Sequence, residues 1–293
     1  MPFPQMRESK MSSFNELKKR PKKSLGQHFL HDKSVIQKIV SALKISTPRD
    51  PILEIGPGRG ALTQEILTHT QNLTLLEKDR EMIAYLKELE FIQSNSIPIV
   101  EGDATEGEKI DEALSLIKTK TDEEIAIVSN LPYNVSTLIL YQLLTRYQKL
   151  PTLVLMFQKE VAIRIASPPG SKKYGSLSVL AQNWYEVTRV LSVKPGAFTP
   201  PPEIDSLVLK FSRRKTPIVP LTEAQFPLFE KMLRAAFSHR RKSIKNSLHY
   251  TFTSSEYIEN ALQEAGISGS RRAESVSIQE FGKLLHCLQN HDG

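Results

Sequence analysis

Cysteine is almost missing from this chain: one residue, Cys287, in 293. That excludes a disulfide framework and any zinc site built on cysteines, and leaves a buried or idle thiol. No stretch approaches the roughly 18 apolar residues that a membrane span needs, and the first residues lack the apolar core of a signal peptide, so a cytoplasmic protein is expected. Internal repeats and low-complexity tracts are missing too. What is present is ordinary globular composition, 40% hydrophobic and 24% charged. At 33.1 kDa the chain can bury a full core, as one large domain plus a small one or as two medium ones.

The net charge is +7, and its distribution says more than its total. Residues 50–130 hold seventeen acids against seven bases, whereas residues 1–23 hold seven bases against two acids and residues 210–246 ten against two. Two basic flanks around an acidic middle suggest a polyanion held beside the central domain. The run Lys18-Lys-Arg-Pro-Lys-Lys23, five bases in six residues, reads as a solvated arm or as a strip along phosphates.

The chain is organised around Pro51-Ile-Leu-Glu-Ile-Gly-Pro-Gly-Arg-Gly-Ala-Leu62, an apolar run that stops at Gly56, Gly58 and Gly60. Glycine allows positive φ and lets a ligand lie against bare backbone, so the stretch reads as strand, nucleotide-shaped turn and helix; a tight turn between packed elements is the plainer alternative. From there strand and helix alternate. Strands fit 52–55, 73–76, 97–100, 125–129 and 153–157, with helices at 62–68, 80–90, 108–117 and 137–147 between them. Such alternation implies an α/β fold, a Rossmann-like parallel sheet covered on both faces, with ligands at the carboxyl ends of its strands. Strands at 187–193 and 207–211 would add an antiparallel edge. A linker at 213–220 then leads to helices at 223–237, 242–251, 256–265 and 278–288, a small all-helical domain. The division expected is a disordered basic arm at 1–21, a catalytic domain at 22–215 and a helical domain at 216–293.

Polar residues stand where the apolar runs stop: Glu54, Glu77, Asp103 and Asn130. Glu77 lies 21 residues after Gly56, the distance at which an acid accepts hydrogen bonds from ribose hydroxyls. Asp79 is its rival, better suited to capping the helix from Arg80. Asp103 suits an exocyclic amine of adenine, or a helix cap. In Asn130-Leu-Pro-Tyr133 an amide and a proline-stiffened backbone can offer oxygens to an amino group while tyrosine offers a stacking face; Asn-X-Pro is also common turn chemistry. The arrangement suits methylation of an aromatic amine. Accepting both amine hydrogens favours a pyramidal nitrogen with its lone pair available. No strong base is required first, because the product ammonium is acidic.

Together these residues resemble the ribosomal RNA small-subunit adenine N6,N6-dimethyltransferases over residues 22–288. The resemblance rests on Leu25-Gly-Gln-His-Phe-Leu30, Glu54-Ile-Gly-Pro-Gly-Arg-Gly-Ala-Leu-Thr63, Asn130-Leu-Pro-Tyr-Asn-Val-Ser136, Ala197-Phe-Thr-Pro-Pro-Pro-Glu-Ile-Asp-Ser206 and Ala236-Phe-Ser-His-Arg-Arg-Lys-Ser-Ile-Lys-Asn-Ser-Leu248. It implies a class I methyltransferase fold and S-adenosylmethionine held by His28, Leu30, Gly56, Gly58, Glu77, Asp103 and Asn130. It further implies that Asn130, Leu131 and Pro132 offer oxygens to the target amine, with Tyr133 and Phe198 flanking the adenine. The substrate implied is two adjacent adenosines near the 3' end of 16S rRNA, methylated during subunit biogenesis. Lys22, Lys23, Arg240, Arg241, Lys242 and Lys245 would grip rRNA phosphates. The partner expected is the small ribosomal subunit and its rRNA, bound by a monomer that needs no metal and no membrane. Position 28 departs from the family, being His where many relatives have Asn, as does Ala273 where relatives often have Pro. Two alternatives stand beside this reading: a resistance-type methyltransferase acting on large-subunit rRNA, and a non-catalytic assembly or transcription factor of the same fold. A dehydrogenase is the weakest, since nothing resembles a hydride-acceptor site.

Overall fold

A computed structural model describes residues 27–119, 125–252 and 254–290. The expected basic arm at 1–21, and with it Lys22 and Lys23, lies outside the described residues. In chain order the elements begin with a two-residue strand β1 (Phe29–Leu30) and helix α1 (Lys33–Leu43). Next come β2 (Ile52–Ile55), α2 (Ala61–Ile66), β3 (Leu73–Glu77), α3 (Arg80–Lys87), α4 (Glu90–Asn95), β4 (Ile99–Glu101), α5 (Gly107–Ser115), β5 (Ala126–Asn130), α6 (Ser136–Arg146) and β6 (Thr152–Gln158). They are followed by α7 (Lys159–Ile165), α8 (Ser176–Trp184), β7 (Tyr185–Val193), β8 (Phe198–Thr199) and β9 (Ser206–Arg213). The last helices are α9 (Phe226–Ser238), α10 (Ile244–Leu248), α11 (Ser255–Glu264) and α12 (Ile278–Asn290).

Seven strands form one sheet in the order β4-β3-β2-β5-β6-β9-β7. The first five run parallel, and β9 is antiparallel to β6. Every residue of β2 and β3 is buried, which is why these strands are mostly apolar rather than alternating, with Glu54, Thr74 and Glu77 as their buried polar members. Helix α1 shows the complementary pattern. Asp32 caps it by accepting from the Val35 amide, and Ile36, Ile39, Val40 and Leu43 form the stripe it buries in the core. β1 pairs antiparallel with β8, setting Leu30 opposite Phe198.

Parallel strands end on one side of a sheet, so the ends of β2, β3 and β5 come together there, with the loop after β4 beside them. Between β2 and α2, Gly56, Gly58 and Gly60 all have positive φ, at 66°, 55° and 76°. A Cβ on Gly58 would also lie 3.1 Å from the Phe29 ring, so the turn needs glycine for conformation and for space. The expected helix at 80–90 is two helices: Leu89 is extended, at φ −75° and ψ 129°, and breaks the ladder before α4 buries Ile92. Propensity did not mark this break, because Leu89 is a good helix former whose partly buried side chain packs on the core.

The fold divides the chain discontinuously, rather than by a single cut near residue 215. One unit comprises the described residues through Lys159 together with Thr188–Ser212; the other comprises Glu160–Val187 and the residues from Arg213 onward. The segment read as a linker is packed within that second unit. Val219 donates its amide to Asn183 Oδ1 at 2.7 Å, and Asn183 Nδ2 donates to the Val219 carbonyl at 3.2 Å. Asn183 is wholly buried, so losing its side chain strands two main-chain groups. Asn183→Ala should therefore destabilise this unit by about 2–4 kcal/mol. Urea denaturation followed by fluorescence of the one tryptophan, Trp184, checks this, and an unchanged midpoint would rule out the role.

Candidate active site

One cavity in the first unit collects residues from five strand ends and loops. His28, Leu30, Gly56, Gly58, Glu77, Asp103, Asn130, Leu131, Pro132 and Tyr133, the expected cofactor-binding and catalytic residues numbered below 198, all line it. Glu54 lines it as well.

Glu77 ends β3 and is 7% exposed. Its Oε1 accepts the amides of Lys78 and Asp79, both at 2.9 Å, and its Oε2 accepts the Gly58 amide at 3.1 Å. Burial pushes its carboxyl up from the usual range, against the pull of those three amides. A carboxylate offers about four acceptor positions, so one remains for a ligand hydroxyl. Asp79 serves as the cap of α3, accepting from the Glu81 amide at 3.0 Å. Asp103 does not cap α5, whose N-cap is Glu106. Its Oδ1 accepts the Thr105 amide at 2.9 Å, and its Oδ2 pairs with Lys78 Nζ at 2.5 Å. Partial burial raises this carboxyl, but the Lys78 and Thr105 bonds outweigh burial and hold it below its ordinary value. Lys78 has no signature in the sequence, since nothing in Glu77-Lys-Asp79 shows that its ammonium reaches across to the next strand end.

Asn130 closes β5, and its Nδ2 donates to the His28 carbonyl at 3.0 Å. That commitment leaves Oδ1 as the amide atom able to accept from a ligand. The Pro132 carbonyl already accepts the Val135 amide at 3.2 Å within the turn into α6. Of the three oxygens expected at the target amine, those of Asn130 and Leu131 are thus the better acceptors. Leu131 is anchored by a side chain only 1% exposed. The Tyr133 ring stacks on His28 at 5.4 Å between centroids, and its hydroxyl meets Ser206 Oγ at 2.5 Å. Burial raises the Tyr133 phenol above its ordinary value, against the Ser206 bond, so the ring is neutral at physiological pH. His28 Nδ1 lies 2.8 Å from the Pro200 carbonyl; that oxygen can only accept, so Nδ1 carries a hydrogen.

Phe198 needs a correction. It does not line the cavity: it is 2% exposed and packs in the core among Leu30, Val193 and Ala197. Pairing opposite Leu30 within β1–β8 makes it part of the wall behind the site, so of the two expected rings Tyr133 is the one that lines the cavity.

The sequence matches the family described as ribosomal RNA adenine dimethylase over residues 18–290. The chain belongs to that family. It is 42% identical over 272 residues to the ribosomal RNA small subunit methyltransferase A of Syntrophotalea carbinolica, covering 93% of this chain and 98% of that one. Among solved structures it resembles a dimethyladenosine transferase from Plasmodium falciparum, with a TM-score of 0.73 and 25% identity, covering 90% of this chain and 98% of that one. The fold is also that of the 23S rRNA methyltransferase ErmE, at a TM-score of 0.62 and 24% identity over 89% of this chain and 99% of that one. Among the described residues of this dimethylase-family chain, no helix is long and apolar enough to cross a membrane, and no group of three or more His, Cys, Asp or Glu could hold a metal ion.

In the second unit the basic residues expected to hold RNA have unequal freedom. The Arg240 guanidinium donates to the carbonyls of Lys172 and Tyr174, and Lys245 pairs with Glu259 at 2.6 Å. Arg241 and Lys242 are exposed. Lys172 and Lys173, also exposed, are brought into play by Arg240; the sequence carried no sign of them because they lie 68 and 67 residues away.

Glu54 has the largest shift in the cavity wall. It is 1% exposed, accepts the Thr63 hydroxyl at 2.7 Å, and is pushed up to about 8, by burial first and by the Glu77 charge after the opposing Thr63 bond. A carboxyl raised in the folded state contributes its full stability below the unfolded pKa of about 4.3, and that contribution is lost as pH rises through about 8. Glu54→Gln should consequently raise Tm relative to the parent protein more at pH 8 than at pH 5. Equal shifts at both pH values in thermal melts would mean that Glu54 folds already ionised.

Proposed function

We propose that this protein transfers methyl groups from S-adenosylmethionine to the N6 amines of two adjacent adenosines near the 3' end of small-subunit rRNA, in the cytoplasm, during assembly of that subunit. The observation that carries the reading is the Asn130 amide. With Nδ2 held by the His28 carbonyl, Oδ1 and the Leu131 carbonyl are left as a pair of acceptors beside a stacking tyrosine.

The wall of the cavity fits the cofactor. A glycine turn whose bare backbone a ligand can approach closely, a carboxylate with an acceptor position left at Glu77 and another carboxylate at Asp103 match a ligand with an amino-acid end, a ribose and an adenine. Glu77 would take a ribose hydroxyl, Asp103 the adenine amine, and Gly56 and Gly58 the close approach of the amino-acid end, with His28 and Leu30 completing the wall. When bound, the cofactor supplies an electrophilic methyl group on a sulfonium.

The chain's own part in the reaction is orientation. In the first transfer Asn130 Oδ1 and the Leu131 carbonyl accept the two N6 hydrogens, and in the second one of them accepts the single hydrogen that remains, which draws the nitrogen toward a pyramidal shape and turns its lone pair out of the ring. Tyr133 holds the base by its face, and Ser206 keeps the tyrosine in place. No group near the cavity needs to act as a strong base, because the methylated ammonium releases its proton to water. An adenine inside a helix cannot reach such a site, so the base must leave its stack, at a cost of roughly a few kcal/mol.

Purified protein with labelled methyl donor, offered immature small subunits or large-subunit RNA, tests the assignment. Dimethyladenosine mapped near the 3' end of small-subunit rRNA is expected; label on large-subunit RNA alone, or on neither, would overturn it. Asn130→Ala should lower kcat by at least about 100-fold while subunit binding is little changed, since an acceptor aimed at the reacting group is removed. Equal loss of binding and turnover would make Asn130 a structural residue. For RNA binding, Arg241→Ala with Lys242→Ala should reduce the slope of log affinity against log salt by about 0.7–0.9 for each phosphate that is no longer neutralised. Lys245→Ala, whose charge is already paired, should change the slope less; the reverse ranking would reject this division of roles.

A further inference from the structure

Helix α9 ends at Ser238, and the turn that follows carries His239, Arg240, Arg241 and Lys242 before α10. The Lys242 amide closes this turn on the His239 carbonyl at 2.9 Å. Closing it brings the His239 ring onto that of Tyr250, just beyond α10, with centroids 4.1 Å apart and planes inclined by 26°. Tyr250 is 58% exposed, the largest value among the large hydrophobic side chains of the described residues. The Lys242 ammonium donates to the Tyr250 hydroxyl, which places it at the edge of the ring, 4.8 Å from the centroid, rather than flat on the face. One face of Tyr250 is thus backed by imidazole, one edge is tipped by a cation, and more than half of the side chain meets water.

The charge around this stack is mostly positive, with the acids Glu256 and Glu259 on the neighbouring helix. Arg241, Lys242, Lys172 and Lys173 are exposed, and Arg240 pins the turn that bears the two lysines. From Ser238 to Thr253 the sequence has no acid, and the nearby Glu259 is paired with Lys245. An exposed aromatic face costs free energy in water unless something covers it, and among five cations the covering group is anionic. Nucleic acid supplies phosphates and flat rings together. A duplex would satisfy the cations but conceals its base faces within the stack, whereas an unpaired nucleotide presents both.

We propose that the His239–Tyr250 stack is a platform for one unpaired base of single-stranded RNA, with the flanking phosphates on Arg241, Lys242 and the Lys172–Lys173 turn. The assignment rests on the reading of the protein as an rRNA enzyme, and it adds the structure of RNA selected by the helical unit.

The test uses the full chain with a fluorescein-labelled single-stranded RNA of about twelve nucleotides and the same sequence closed into a hairpin stem, titrated at fixed salt. Tyr250→Ala should weaken binding to the single strand about 5- to 100-fold, leaving the stem affinity and the salt slope unchanged. Tyr250→Trp should retain the preference for the single strand, and its fluorescence should be quenched on binding. His239→Ala, at a second exposed position, guards against misfolding: it should weaken single-strand binding with an unchanged Tm. An unaltered ratio of single-strand to stem affinity in Tyr250→Ala overturns the platform. So does loss of binding to intact small subunits with no change toward either RNA, since that would assign the patch to a protein partner. The methyl-mapping assay fails separately: a Tyr250-dependent single-strand preference without methyl transfer would preserve the platform and refute the enzymatic reading.

Discussion

The Glu77 carboxylate holds the site together. Its three amide bonds tie the end of β3 to the loop that leads into α3 and to the glycine turn after β2, so two neighbouring strand ends share one ligand wall. A buried carboxylate is tolerated there because those amides satisfy most of its acceptor positions. The same constraint explains the glycines. Gly58 must bring its N–H to Glu77 with positive φ at a point where a Cβ would lie 3.1 Å from the Phe29 ring, a path open to a residue without Cβ.

A second linkage joins the first strand to the chemistry. β1 and β8 pair in antiparallel fashion, and that pairing carries His28 between the Pro200 carbonyl and the Tyr133 ring. From there the His28 carbonyl receives the Asn130 amide and so decides which end of that side chain is available. His28 therefore acts through its ring, which meets Pro200 and Tyr133, and through its carbonyl, which orients Asn130. Ser206, at the start of β9, holds the tyrosine from the antiparallel edge of the sheet. The β1–β8 pair and β9 thus support the Tyr133 ring, while the parallel strands supply the rest of the cavity wall.

Much of this was legible in the sequence. Apolar runs that give way to polar residues at or near Glu54, Glu77, Asp103 and Asn130 mark a parallel sheet and its ligand end, because a strand buried on both faces admits polar residues at least cost near its end. The ordered motifs around those residues led to the family. Other features were not legible, because they depend on interactions between distant residues. The ring of Phe198 looks like a second stacking face in its motif, but pairing with β1 turns it into the core. Four bases in Arg240-Arg-Lys-Ser-Ile-Lys245 look equivalent, but Arg240 is drawn to main-chain carbonyls and Lys245 to Glu259. The stretch 213–220 has the prolines and charges of a linker, and Asn183 straps it down.

The glycine turn, the polar strand ends, the Asn130-Leu-Pro-Tyr133 motif and the helical end of the chain were determined by the sequence alone, since each depends on local periodicity or on which residue can adopt a given backbone. Tertiary structure decided which atoms remain available: Oδ1 of Asn130 rather than Nδ2, the Leu131 carbonyl ahead of that of Pro132, Tyr133 rather than Phe198, Arg241 and Lys242 rather than Lys245. Availability is what is left after most buried donors and acceptors have found partners. Those partners stand up to 172 residues apart in the chain, beyond the reach of any local pattern.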